Sequence, residues 1–182
     1  SEEMLSAAQR RLAFDEVFLT QLMGQAQKRD WKSANAKYFR LSDEQMSHWV
    51  AGFPYRLTNA QWKVLNEIRG DIDSGQPMNR LIQGDVGSGK TIVACLASMI
   101  VANAGGQTVL MAPTGILAEQ HYRTFLKVIE YAQTEESGLT FGAEQIALLV
   151  GATPEAEKRQ ICDRLANGEI RMVIGTHALL ED

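Results

Sequence analysis

Eight consecutive residues carry the clearest chemistry in the chain: Gly84, Asp85, Val86, Gly87, Ser88, Gly89, Lys90 and Thr91. They fit G-x-x-x-x-G-K-[ST] without a mismatch. Glycines allow backbone geometry closed to other residues, so successive N–H groups can turn toward phosphate oxygens. A helix beginning at the end of the loop adds its positive N-terminal end. Lys90 brings a point charge to the β- and γ-phosphates, and the Thr91 hydroxyl is a magnesium ligand. The chemistry is therefore capture of a nucleoside triphosphate with Mg.

The surrounding elements are those such a loop needs. "MNRLIQ" reads as a short strand running into the loop, and "TIVACLASMIVANA" as a largely buried helix ended by Gly105-Gly106. "QTVLMAP", "QIALLVG" and "RMVIG" read as three further strands. Helical patterns separate them, in "NAQWKVLNEIRGDI", "TGILAEQHYRTFLKVIEYA" and "TPEAEKRQICDRLANG". In the last, Thr153 is the expected N-cap, Pro154 the first turn, and Asn167-Gly168 the stop. Strands alternating with helices imply a parallel α/β sheet, which binds ligands beyond the carboxyl ends of its strands. Upstream, residues 3–29 form one long helix with two apolar faces: Leu5, Ala8, Leu12, Leu19, Leu22 and Ala26 on one, Phe14, Val17 and Phe18 on the other. Two faces imply packing on two sides. Residues 30–58 read as short helices and loops.

A hydrolytic site also needs a magnesium-holding carboxylate, expected where an apolar strand closes on Asp or Asp-Glu. "QTVLMAP" ends in Pro, and "QIALLVG" and "RMVIG" end in Gly. Glu181 and Asp182, in "ALLED", resemble the pattern only faintly, and a solvated loop is the alternative. The chain has no transporter-type signature and no guanine-reading N-K-x-D.

Composition bounds the rest. The 182 residues are 45% hydrophobic and 22% charged, with net charge −4. This balance argues against a wholesale basic nucleic-acid binder and leaves room for local backbone contacts. No apolar run reaches the roughly 18 residues of a membrane span, and the start has no signal-peptide pattern. Cys95 and Cys162 lack metal spacing and read as reduced, semi-buried helix residues of a cytoplasmic protein.

Several stretches together resemble the first motor domain of a superfamily 2 helicase, most closely the RecG branched-DNA translocase family. They are "RRLAFDEVFLTQL", "FPYRLTNAQ", "PMNRLIQGDVGSGKT", "MAPTGILAEQHY", "LLVG" and "IGTHALL". Gly115 departs from the family, which often has Glu there. The resemblance implies an α/β fold with an incomplete RecA-like P-loop parallel sheet and flanking helices, preceded by the long N-terminal helix. It divides the chain into a helical arm packing on the motor, 1–52, and the N-terminal part of the motor domain, 53–182, read as truncated before a DExH strand.

The implied function is the ATP-binding portion of an ATP-dependent DNA helicase that remodels forks and Holliday-type junctions. Its partners would be branched DNA, a second motor domain and a wedge domain, and the isolated fragment would be inactive. A transcription-repair coupling motor is an alternative, although that family carries a bulky residue in place of Ser88. A nucleotide-binding module without catalysis is another. In this reading Gln61 reads the adenine edge, with a solvent-facing Gln at a helix start as the alternative. Phe53 or Tyr55 stacks on the base, with core packing as the alternative. Pro113, Thr114, Gln120, Gly151, Gly175 and Thr176 face the DNA backbone. For Thr114 the alternative is an N-cap, compatible with contact. For Gly151, Gly175 and Thr176 it is plain turns. His121 lies on the apolar stripe of its helix and reads as half-buried packing.

Overall fold

The structure is a computed structural model and describes residues 2–180. The described residues contain three strands, six α-helices and two short 3-10 helices. α1 spans Glu2–Ser33, α2 Asp43–Ala51, α3 Asn59–Asp73 and α4 Lys90–Asn103. β1 (Thr108–Met111), α5 (Gly115–Ala132), β2 (Ile146–Leu149), α6 (Glu155–Ala166) and β3 (Met172–Gly175) follow.

The strands form a parallel sheet in the order β1-β3-β2, so the last strand inserts between the other two. Its central place explains its composition. β3 is buried along its whole length, and a parallel strand covered on both faces reads as a continuous apolar run. Alternation then divides the core. Met172 and Ile174 join the main cluster with α2 to α5, while Val173 joins Ala147, Leu149, Ile161 and Ile170 beneath α6. Gly175 is needed at the β3 end because a Cβ there would overlap the Leu149 carbonyl of the paired strand.

Local capping agrees with the layout. Ser42 with Gln45, and Thr58 with Gln61, form capping boxes at α2 and α3. α4 closes at Ala104, with Gly105 at φ +85, as its glycine pair predicts. α6 closes at Asn167, with Gly168 at φ +74. Its start differs by one residue. Pro154 is the N-cap, because the Thr153 hydroxyl is taken by the Val150 N–H at 3.0 Å and closes the preceding turn.

Three further expectations are corrected. Residues 78–83 are not in a strand. A strand exists only through ladder bonds, and this segment pairs with no strand among the described residues; Leu81 is 80% exposed. α1, roughly 48 Å long at 1.5 Å per residue, does not bury two faces. Leu5, Leu12, Leu19 and Leu22, and Phe14, Val17 and Phe18, are all exposed, the last group carrying the Phe14–Phe18 ring stack. Only its C-terminal end borders the domain, across a cleft of about 670 Å³ lined in part by Lys28, Trp31, Met78 and Arg80. Cys162 is exposed on α6, whereas Cys95 is fully buried on α4, which pushes its thiol pKa up.

The compact part begins ahead of the boundary expected at residues 52–53. Leu41, Met46 and Trp49 belong to the same core as Leu65 and Phe125. The fully buried Trp49 donates its indole N–H to the Ser137 carbonyl at 2.9 Å, tying α2 to the loop after α5. Residues before α2 are strapped to the end of α3 by Ala36 N–H to Gly75 O, 2.9 Å, and Phe39 N–H to Ile72 O, 3.3 Å.

Candidate nucleotide-binding site

α4 differs from α2, α3 and α5 in having no side-chain cap at its N-terminus. Gly89 occupies the N-cap position at φ +83, ψ 26, in the left-handed region. Among the described residues the N–H groups of Lys90 and Thr91 have no helical acceptor and are left for an anion, whereas that of Ile92 bonds the Gly89 carbonyl at 3.1 Å. Gly87, also at φ +83, and the Ser88 N–H to Asp85 carbonyl bond, 3.2 Å, shape the turn before it.

The Lys90 amine sits inside this loop. It donates to the Gly84 and Asp85 carbonyls, both at 2.7 Å. An ammonium has three donors, so one remains for a phosphate oxygen. The Thr91 hydroxyl makes no hydrogen bond among the described residues, which suits a metal ligand. A magnesium ion held there would screen the triphosphate charge and order its oxygens. Val86 at the loop tip is fully exposed.

Gln61 reaches the loop from α3. Its Oε1 accepts from the Thr58 N–H at 2.8 Å, and its Nε2 donates to the Ser88 carbonyl at 2.9 Å. A Cβ on Gly89 would overlap that nitrogen. Gly89→Ala therefore meets two obstacles, the left-handed φ and the Gln61 amide. The φ alone costs roughly 1–2 kcal/mol, so nucleotide affinity should fall about tenfold or more by calorimetric titration. Unchanged affinity would show that the loop geometry is not rigid here.

Of the two aromatics that could stack on a base, Phe53 is buried in the core, its ring tilted against Tyr55 and Tyr131 at centroid distances of 5.7 and 6.2 Å. Phe53 is thereby corrected from base contact to packing. Tyr55 stays 48% exposed. "FPYRLT" carries both rings, and only the fold decides which one turns inward.

The expected DNA-facing residues gather at the carboxyl ends of the strands. Pro113 and Thr114 follow β1, Gly151 follows β2, and Gly175 and Thr176 close β3. The Thr114 hydroxyl caps α5 by accepting from the Leu117 N–H at 3.3 Å. Gln120 is exposed on α5, and Gly151 is in open space. Thr176 is 5% exposed, and its N–H donates to the Leu149 carbonyl at 3.3 Å. His121 is half-buried. Glu181 and Asp182, the faint carboxylate candidates, lie outside the described residues. The three strands of the sheet end on Met111, Leu149 and Gly175, so none ends on a carboxylate.

Sequence reasoning missed the backbone acceptors Gly84, Asp85 and Ser88. A carbonyl has no letter of its own, so no signal marked them. The capping role of Gln61 was legible in the T-x-x-Q spacing of residues 58–61.

The chain is similar to known helicases. The DEAD/DEAH box helicase model matches residues 58–182. An ATP-dependent DNA helicase RecG of Thermotoga maritima is 43% identical over 178 residues, covering 98% of this chain and 22% of that protein. The Bacillus subtilis RecG is 39% identical over 183 residues, covering 100% of this chain and 25% of its own length. The chain thus spans about a fifth to a quarter of these relatives. A solved RecG bound to a three-way DNA junction matches with TM-score 0.81 at 41% identity, over 98% of this chain and 23% of that one. The UvsW helicase of bacteriophage T4, at 16% identity, shares the fold with TM-score 0.51 over 88% of this chain and 53% of its own. With the helicase model running from the cap of α3 to the last residue, and RecG proteins aligned along nearly the whole chain, the chain belongs to the DEAD/DEAH box helicase family, and its homologues there are the RecG helicases.

Proposed function

We propose that this chain is the ATP-binding portion of an ATP-dependent DNA helicase or translocase that works on branched DNA in recombination and repair. The observation that carries the reading is the phosphate loop: Lys90 tied to two loop carbonyls at the uncapped start of α4, with Gln61 beside it. In this role Lys90 and the α4 amides hold the triphosphate, Thr91 holds magnesium, and Gln61 meets the adenine edge. Tyr55 takes the place of Phe53 as the aromatic nearest solvent.

Thr114, Pro113, Gln120, Gly151, Gly175 and Thr176 form a DNA-backbone track along the strand ends. Contacts of this kind, made through N–H groups and hydroxyls, are independent of sequence, as a motor needs. Because Thr176 has its side chain buried, it contributes through its backbone. The RecG solved on a three-way junction supports a branched substrate. A second motor domain and a wedge domain are the partners the reading requires, and work on DNA places it in the cytoplasm. Among the described residues no helix is long and apolar enough to cross a membrane.

Branched DNA should stimulate ATP hydrolysis by the intact protein. Thr114→Ala should weaken DNA binding at fixed salt by about fivefold, the worth of one hydrogen bond, and equally for all DNA sequences. Its ATP affinity without DNA should be unchanged. Hydrolysis indifferent to every DNA form would overturn the proposal.

A further inference from the structure

The chain carries net charge −4, yet residues 28–40, "KRDWKSANAKYFR", hold five cations and one carboxylate. Aromatic residues are interleaved with them at Trp31, Tyr38 and Phe39. This run joins the end of α1 to the compact domain, at the far end of α3 from Gln61. Neither the phosphate loop nor the strand-end track uses it.

The fold presents the run to solvent. Phe39 packs against the core and fills the space over Gly106 that a Cβ would need. Its N–H bond to the Ile72 carbonyl, and that of Ala36 to the Gly75 carbonyl, fix the backbone. Lys37, Tyr38 and Arg40 stand outside, with the Arg40 guanidinium over the Tyr38 ring at 5.4 Å. Lys28 and Trp31, one turn apart on α1, line the cleft of about 670 Å³ together with Gln27, Gln76 and Asn79. That volume lies in the usual range for a small-ligand site.

Neighbouring carboxylates are already engaged. Arg80, in the cleft wall, holds Glu67 and Asp71 of α3 at 2.5 and 2.7 Å, and Arg40 holds Asp73 at 2.8 Å. The Arg40 pair is exposed, so a phosphate can compete for its guanidinium. Asp30 is the one carboxylate of the run. Among the described residues Lys28, Arg29 and Lys37 have no carboxylate partner. Exposed rings among cations suit single-stranded nucleic acid: bases stack on the aromatic faces while the backbone follows the positive charge. An acidic peptide would use the cations and leave the rings idle.

We propose that residues 28–40 form a binding site for single-stranded DNA, with Trp31 as the platform for a base in the cleft and Lys28 and Lys37 on the phosphates. The site deepens the DNA-motor reading and rests on it for its meaning, since a branched substrate exposes unpaired strand. It is separate from the track at the strand ends.

The test uses the intact protein and an oligothymidylate of about 15 nucleotides, within the usual range of single-strand site sizes. An abasic strand of the same length and a blunt duplex run beside it. Trp31→Ala should weaken oligothymidylate binding about tenfold, the size of one lost base stack, and leave the abasic strand and the duplex at wild-type affinity. Trp31→Phe should keep most of the affinity. Lys28→Ala combined with Lys37→Ala should lower the slope of log affinity against log salt by about 1.4, the worth of two single-strand phosphates. Arg159→Ala, which removes a cation of α6, should leave that slope unchanged. Wild-type oligothymidylate affinity in Trp31→Ala would overturn the proposal, as would an equal loss on the abasic strand. So would a poly-glutamate peptide that competes as strongly as the oligonucleotide, or a slope lowered as much by Arg159→Ala. Hydrolysis indifferent to DNA, with oligothymidylate binding still dependent on Trp31, would instead defeat the motor reading and leave this site standing.

Discussion

Lys90→Ala should lower ATP hydrolysis by the intact protein on the order of 10²–10³-fold, the range for removing one preorganised donor from a developing anion. Two losses combine in this substitution. The charge facing the β- and γ-phosphates disappears, and so do the 2.7 Å bonds to the Gly84 and Asp85 carbonyls that hold the loop closed around the amine. The expected signature is a fall in both nucleotide affinity and turnover, read by titration and by steady-state hydrolysis with saturating DNA. A rate within about threefold of wild type, far short of the donor-removal range, would rule out the loop as the hydrolytic site. The same substitution tests the 182-residue chain alone. Among the described residues none of the three strands ends on a carboxylate, so the wild-type chain should bind ATP-Mg and turn it over no faster than its Lys90→Ala variant. Faster turnover would direct attention to Glu181 and Asp182.

Trp49→Ala should be the most damaging single change to stability away from the loop. The side chain is fully buried. Truncating such an aromatic costs about 3–5 kcal/mol in lost burial and residual cavity. The Ser137 carbonyl, on a residue only 2% exposed, loses its indole donor as well, and an orphaned buried acceptor adds about 1–3 kcal/mol. Against a usual domain stability of about 5–15 kcal/mol, α2 should detach from α5, and the unfolding midpoint in denaturant should collapse. Trp49→Phe keeps most of the ring volume and loses the donor, so it should retain a cooperative transition at a lower midpoint. If Trp49→Ala unfolds within about 1 kcal/mol of wild type, well below the range for truncating a buried aromatic, α2 is not part of the cooperative core. ATP affinity per folded molecule should be unaltered in both variants, because α2 contributes nothing to the phosphate loop.

Much of this protein can be read along the chain because the deciding interactions are local. The run Gly84–Thr91 specifies its own backbone geometry, since glycine alone accepts φ +83 at residues 87 and 89. Helix ends follow from neighbouring residues, as at Gly105 and Gly168. β3 announces its central place through an unbroken apolar run. Capping boxes need only a three-residue spacing.

Other features depend on partners distant in sequence, and no local pattern names them. Residues 78–83 have the letters of a strand, but a strand exists only against a neighbour, and no strand among the described residues pairs with them. Periodicity marked the apolar faces of α1 correctly, yet periodicity says which residues share a face and not what covers it; the faces stand exposed. Of Phe53 and Tyr55, the first is the one buried because Tyr131, far along the chain, packs against its ring. Gln61 could be assigned a nucleotide from its motif, whereas its bond to Ser88 joins residues 27 apart through a main-chain carbonyl. Backbone acceptors carry no residue identity, so folding alone brings them to the groups they bind.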